Sequence, residues 1–284
     1  GTRPGCHISI QTTYTVTTDA AVEMPASELE LVINGGGRLY ILPCIAGHVG
    51  ADTAGMILSE EPQLQDKMTL LVDVGTNAEI VLGNRQRLLA CSSPTGPAFE
   101  GAQVSSGQRA AAGAIERVRI DSETLEPRFR VIGSDLWSDQ PGFAASIDKH
   151  RVTGICGSGI IEVVAEMYLA GIVTEDGIVD GELRNRTARI VESGRTWSYL
   201  LYSPLDGGAE VFVTQNDIRQ IQLAKAALYA GIKLLMDHIG TQHIERIRLA
   251  GAFGSHIDVQ HAMVLGLIPD CTLDQVSSAG NAAG

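Results

Sequence analysis

The sequence predicts an α/β fold, a mixed sheet flanked by helices, and three observations carry that reading. "KMTLLVDVG", "AEIVLGN" and "QRLLACSSP" are short apolar runs that follow one another with only turns between them, the pattern of successive strands. From Asn216 to about Ile239, apolar or small residues recur at 221, 224, 228, 231, 232, 235 and 239, which makes one face of a long helix. Late in the chain "RIRLAGAFGS" runs from a strand directly into a glycine turn.

The remaining elements follow in order. Residues 1–30 are weakly patterned, and the Thr-rich "SIQTTYTVTTDAAVEM" fits strand or loop. "NGGGR" (Asn34 to Arg38) is a turn, "RLYILP" (Arg38 to Pro43) reads as a buried strand, and "AGHVGADTAGMILSE" as a helix with small residues along one face. Gly83-Asn84-Arg85-Gln86 is a hairpin signal between the second and third of the successive strands. "ERVRIDSETLEPRFRVIG" reads as a further hairpin. "GSGIIEVVAEMYLAG" is a helix with apolar positions Ile160, Val163, Val164 and Met167, ended by Gly171. "SYLLY" and "EVFVTQ" read as strands around a turn at Asp206-Gly207-Gly208. Asn216 or Asp217 caps the long helix and Gly240 stops it, and Ala224, Ala227 and Gly231 allow it to pack closely. "DVQHAMVLGL" is a short helix.

Composition narrows the function classes. The 284 residues are 44% hydrophobic and 19% charged, enough for one large domain or two lobes. A net charge of −12 with no basic cluster argues against nucleic acid and anionic membrane as partners. No apolar run approaches a membrane span, and the N-terminus does not read as a signal peptide. Cys6, Cys44, Cys91, Cys156 and Cys271 are scattered and contain no C-x-x-C pair. That spacing argues against zinc, an iron–sulfur cluster on this chain or a disulfide framework. They read mostly as small buried hydrophobes in a reducing, cytoplasmic setting. The seven histidines show no metal spacing.

Three glycine turns carry the candidate chemistry. Asp73-Val74-Gly75-Thr76-Asn77 leaves a strand and turns sharply. Gly75 lets the backbone approach a ligand, the following amides and hydroxyl can form an anion nest, and Asp73 can hold magnesium through waters. The plain alternative is a hairpin whose acid caps its own turn. Gly251-Ala252-Phe253-Gly254 offers a flat backbone surface for an adenosine, or simply a strand-to-helix connection. Gly157 and Ser158, within Cys156-Gly157-Ser158-Gly159, open a helix whose N-terminus favours an anion, with close helix packing as the equal alternative. G-x-x-x-x-G-K-[ST] and G-x-G-x-x-G are both absent.

These turns resemble the actin, sugar-kinase and heat-shock-chaperone (ASKHA, ribonuclease H-like) superfamily of ATP-binding folds. A set of longer segments, among them "TLLVDVGTNAEIVLGN", "LLACSSPTGPAFEGAQ", "TGICGSGIIEVVAEMYLAG" and "RIRLAGAFGSHID…LGLIPD", resembles more closely the C-terminal domain of the reductive activators of corrinoid proteins. The resemblance covers about residues 38–284. It implies ATP and Mg2+ as cofactors, with Asp73 as the metal and catalytic carboxylate, Gly75, Thr76 and Asn77 on phosphate, and the 251–254 turn on adenosine. It implies an upstream ferredoxin-like domain with a [2Fe-2S] cluster, and a corrinoid protein or corrinoid-dependent methyltransferase as partner; a homodimer is also compatible. Gly47 to Asp52 match one interlobe helix and the helix from Asn216 the other. Residues 1–65 then read as a remnant of an incomplete first lobe and 66–284 as the second lobe, with the first phosphate hairpin upstream. Two other functions stay open: a kinase-like phosphotransferase, for which Asp52 or Asp135 would be the base, and a non-catalytic docking module for the corrinoid protein.

Overall fold

The computed structural model describes residues 19–147, 151–204 and 207–282, apart from the side chains of Ala252 and Phe253. Cys6, Asp206 and most of the Thr-rich N-terminal stretch lie outside these residues. The chain begins with a two-stranded antiparallel ribbon, β1 (Val22–Pro25) and β2 (Arg38–Ile41), followed by helix α1 (Ala51–Glu60). Strands β3 (Thr69–Val74), β4 (Ala78–Asn84) and β5 (Arg87–Ser93) form the expected antiparallel meander. Next come β6 (Ala114–Ile120), β7 (Pro127–Val131), the short α2 (Phe143–Ser146), β8 (Gly154–Ile155) and α3 (Gly157–Leu169). A second three-stranded sheet is made by β9 (Ile190–Ser193), β10 (Thr196–Tyr202) and β11 (Val211–Thr214), ahead of the long α4 (Gln215–Ile239). The chain closes with β12 (Arg246–Ala250), α5 (Gly251–His256), α6 (Val259–Val264) and β13 (Val276–Gly280).

The central sheet has five strands in the order β13-β12-β3-β4-β5. β12 runs parallel to β3 and β13 parallel to β12, while the meander is antiparallel. Alternation along the strands sends Leu70, Val72, Ile80 and Leu82 into the main core with α3 and α4. Leu71 and Val81 point to the opposite face, where Met56 of α1 and Ala250 join them in a smaller core. Both faces are therefore covered, which explains why β3 reads as a continuous apolar run.

α4 lies against β4 and β5 through its small residues, as its sequence implies. A side chain on Gly231 would come within 2.6 Å of Ile80 Cδ1, and Ser93 Oγ donates to the Ala227 carbonyl at 2.6 Å. On the other face, the Arg248 guanidinium holds the Glu60 carboxylate at the end of α1 through two hydrogen bonds, and Arg246 lies 3.6 Å from it.

Several local expectations change. Residues 38–41 are a strand but not a buried one: Tyr40 is 65% exposed, because β2 pairs only with β1 and no layer among the described residues covers the ribbon. The helix expected from Ala46 starts at Ala51, since 46–49 close a small turn through the Val49 to Ala46 hydrogen bond. Thr214 rather than Asn216 or Asp217 caps α4; Asp217 completes a capping box with it and also accepts from Ser105 N and Oγ. Gly240 ends that helix in the left-handed region, as expected. Cys156 is buried, but Cys44, Cys91 and Cys271 are only partly so.

α3 carries a charge that its apolar pattern conceals. Glu162 is 0% exposed, and its carboxylate accepts from Arg117 Nη1 at 2.6 Å, Arg119 Nη1 at 2.7 Å and Val118 N at 2.9 Å. Both guanidiniums come from β6, so the pairing fastens helix to sheet. Glu162→Ala leaves two cations beside an apolar core and is expected to destabilise the fold by about 3 kcal/mol, the low end for a broken buried pair because each arginine is partly exposed. Urea unfolding checks this; a loss below about 1 kcal/mol would mean that water already screens the pair.

Candidate nucleotide-binding site

The parallel pair β3/β12 brings the two principal glycine turns together. The register matches Asp73 with Ala250, so β3 and β12 end side by side with their carboxyl ends pointing the same way. In open α/β sheets that edge is where ligands bind. Gly251 follows immediately with φ of +75°, and a side chain there would meet Asp73 Oδ1 at 2.3 Å. Only glycine meets both conditions, and its absent side chain leaves the Asp73 carboxylate lying against the start of the 251–254 turn. That turn is helical in form: α5 starts at Gly251 and folds back on β12.

Acid gathers at this edge. The Asp73 pKa is raised by burial first and by repulsion from Asp52, in the first turn of α1, second. Glu79 pairs across the hairpin with Asp73. Its pKa is also raised, mainly by burial and further by Asp52 and Asp73, although Ser92 Oγ donates to it at 3.1 Å. A hydrated divalent cation would relieve this repulsion, so the donor set suits magnesium.

The hairpin tip Gly75-Thr76-Asn77 is held from below. Thr95 Oγ1 donates to the Gly75 carbonyl at 3.0 Å and Gly96 N to the Thr76 carbonyl at 2.9 Å. Thr76 and Asn77 are exposed and Gly75 partly so. The Thr76 hydroxyl donates to Glu100 Oε1 at 2.8 Å. Glu100 ends the 3-10 turn Pro97–Glu100, which is seated on the start of α3: a side chain on Gly157 would meet the Phe99 carbonyl at 1.9 Å. Gly157 therefore packs against the turn, and Ser158 Oγ lies 3.3 Å from Cys156 Sγ.

Behind the 251–256 helix lies an ionic network. Asp258 caps α6 by accepting from His261 N at 3.1 Å. His261 Nε2 lies 2.8 Å from Glu166 Oε1 of α3. His261 Nδ1 is 2.9 Å from Asp258 Oδ1 but off the hydrogen-bonding direction, so that contact is Coulombic. Arg119 approaches both Glu166 and Asp258, and Glu162 and Arg117 complete the group. Three carboxylates against two guanidiniums balance only when the imidazole is charged. Burial pushes the His261 pKa down, but Glu166 and Asp258 outweigh it and the net shift is upward. Glu162, Asp258 and His261 are close enough to bracket an ion, but the two arginines already fill that role.

A fold of this strand order, with an acid-and-glycine hairpin facing a glycine turn across parallel strands, is an ASKHA domain. Residues 67–284 match the family model described as the C-terminal domain of RACo, the ASKHA domain, and residues 7–65 match the RACo middle region. The chain belongs to this family of reductive activators of corrinoid proteins. It is 33% identical over 273 residues to the corrinoid activation enzyme RamQ of Eubacterium limosum, covering 93% of this chain and 43% of that protein. It is 26% identical over 239 residues to the [Co(II) methylated amine-specific corrinoid protein] reductase of Methanosarcina barkeri, covering 82% of this chain and 40% of that one. The solved structure of a reductive activator for corrinoid,iron-sulfur protein superposes with a TM-score of 0.77 at 33% identity, over 92% of this chain and 40% of that one. The chain thus spans about two fifths of the length of these relatives.

Asp73 and Gly251 lie against each other, Gly75 to Asn77 form the tip of the hairpin whose base Asp73 occupies, and the side chains of Ala252 and Phe253 lie outside the described residues. Glu79, Glu100 and the Asp52 contact were missed as parts of the site. The three-residue turn Gly75-Thr76-Asn77 sets Glu79 opposite Asp73, which was the available signal. A cavity of about 640 Å³ lined by Phe129, Phe143, Arg189 and Tyr202 shares no residue with this site.

The raised His261 pKa has a definite consequence for stability. The ordinary imidazole value is about 6.5, so the stability from protonation is complete below about pH 6.5 and is lost as pH rises through the higher folded-state value. Urea unfolding from about pH 6 to 9 should show that decline, and His261→Gln should flatten it. An equal decline in the variant would place the titrating group elsewhere.

Proposed function

We propose that this chain is the nucleotide-binding part of an iron–sulfur protein that reactivates a corrinoid by reducing cobalt(II) to cobalt(I), with ATP binding and hydrolysis assisting the electron transfer. The apposition of Asp73 and Gly251 at the shared carboxyl ends of β3 and β12 carries the reading. Family membership supports it, as do the corrinoid activation enzyme, the cobalt(II) corrinoid protein reductase and the reductive activator among its relatives. In the longer protein an upstream [2Fe-2S] domain supplies the electron and a corrinoid protein, or its methyltransferase, receives it. The setting is cytoplasmic; among the described residues no helix is long and apolar enough to cross a membrane.

Each residue has a role in this proposal. Asp73 holds a hydrated magnesium ion, with Asp52 and Glu79 adding negative potential around it. Gly75 gives phosphate access to the backbone, and Asn77 and the Thr76 backbone amide offer donors, the Thr76 hydroxyl being given to Glu100. Residues 251–254 receive the adenosine. Gly157 serves from behind, by seating the 97–100 turn against the hairpin, and Ser158 stands beside it in the first turn of α3, where the helix N-terminus favours an anion. Residues 1–65 contribute part of a first lobe, α1 and α4 are the interlobe helices, and 66–284 form the second lobe. Magnesium, when bound, supplies charge neutralisation at the phosphates.

Asp73→Asn separates this reading from a docking module. The amide has no charge to desolvate and none to repel Asp52, so the melting temperature should hold or rise. In the intact protein, magnesium-dependent ATP turnover should fall about 10²–10³-fold. ATP-assisted corrinoid reduction should fall with it, and electron flow into the iron–sulfur domain should not. Parental turnover in the variant would leave Asp73 as a turn cap, whereas no ATP turnover by the parent itself would leave the domain as a docking module.

A further inference from the structure

Among the described residues, Glu100 is the carboxylate that accepts a hydrogen bond from the hairpin tip. Its Oε1 accepts the Thr76 hydroxyl at 2.8 Å and lies 3.8 Å from where a Gly75 side chain would begin. Asp73 sits at the base of the hairpin, against Gly251, whereas Glu100 sits at the tip. Glu100 is exposed, so water reaches it.

Its backbone is nonetheless fixed. The Pro97–Glu100 turn has proline at its first helical position and Gly101 in the left-handed region closing it. The Phe99 carbonyl is pressed on the start of α3 at Gly157, and Gly101 is crowded by the Gln108 backbone, where a side chain would meet an oxygen at 2.4 Å. Rigid backbone thus aims a negatively charged side chain at a loop suited to phosphate. Charge alone makes that placement unfavourable for ATP, since a carboxylate repels a terminal phosphate. A carboxylate is useful there if it handles the water that attacks the phosphate.

We infer that Glu100 is a catalytic residue of the ATP hydrolysis proposed above, orienting the attacking water and accepting its proton. The inference rests on the nucleotide-site reading. Water oxygen forms a bond to the γ-phosphorus while the bond from that phosphorus to the β,γ-bridging oxygen breaks. The bonding electrons leave with ADP, the water proton passes to the Glu100 carboxylate, and inorganic phosphate is released. The Thr76 hydroxyl, hydrogen-bonded to the same carboxylate, keeps it turned toward the tip.

The test uses the intact protein with Glu100→Gln and Thr76→Val. MgATP affinity is measured with a fluorescent analogue and hydrolysis in single turnovers across pH. Gln keeps an acceptor for Thr76 but is no base. Glu100→Gln should bind within about threefold of the parent, hydrolyse at least about 100-fold more slowly and lose the acidic limb of the pH–rate profile. Thr76→Val should retain that limb. Parental hydrolysis by Glu100→Gln with binding intact would overturn the inference and leave the nucleotide site standing. So would a loss of rate in both variants that follows weaker binding, since Glu100 would then only brace the hairpin. Failure of the parent to bind MgATP would overturn the nucleotide-site reading, and this inference with it.

Discussion

The contact between Gly251 and Asp73 is the constraint on which the rest of the structure depends. Two parallel strands must end at the same level, and the residue after the second must have φ above zero and no side chain. Any larger residue would strike the Asp73 carboxylate. Met56 of α1 and the Glu60–Arg248 ion pair fix α1 to this sheet, with Asp52 in the helix's first turn, where it repels Asp73. On the other face α4 fixes β4 and β5. The raised pKa values of Asp73 and Glu79 mark a fold that buries these acids first and sets them near other carboxylates second, as functional sites commonly do.

Around that edge, two supports work from different directions. The start of α3 seats the Pro97–Glu100 turn, which braces the hairpin through Thr76. Further along α3, Glu162 and Glu166 tie the helix to β6 and, through His261, to α6 directly behind the 251–256 turn. One helix therefore backs both glycine turns. A buried ionic network is costly relative to apolar packing but specifies one arrangement of the helices that share it, which suits a site assembled from segments far apart in sequence.

Much of the fold was legible in the sequence, because its signals are local. The meander, α3 with its stop at Gly171 and α4 with its stop at Gly240 follow from periodicity and punctuation within a few residues. β9 and β13 were not legible: "IVES" and "VSSAG" are short or small and polar, and pairing with β10 and β12 makes them strands. The exposure of Tyr40 was equally hidden, since an apolar run does not say what covers it. At the site, Asp73 and Gly251 were legible as separate turns, and resemblance placed them in one site. Glu79 and Glu100 are not singled out by the sequence, and Asp52 reads only as an alternative base at an interlobe helix, because register and helix packing, both long-range, bring them to this edge. Glu162 was concealed for the opposite reason, standing inside an apolar helical face whose arginine partners lie more than 40 residues earlier.

Hydrogen exchange of the intact protein, with and without MgATP, tests the central claim most directly. If Asp73 and Gly251 form two sides of one nucleotide site, peptides covering 70–80 and 247–257 gain protection together, and only when magnesium is present. Protection confined to other segments, such as those lining the cavity between Phe129 and Tyr202, or no change in either peptide, would contradict it.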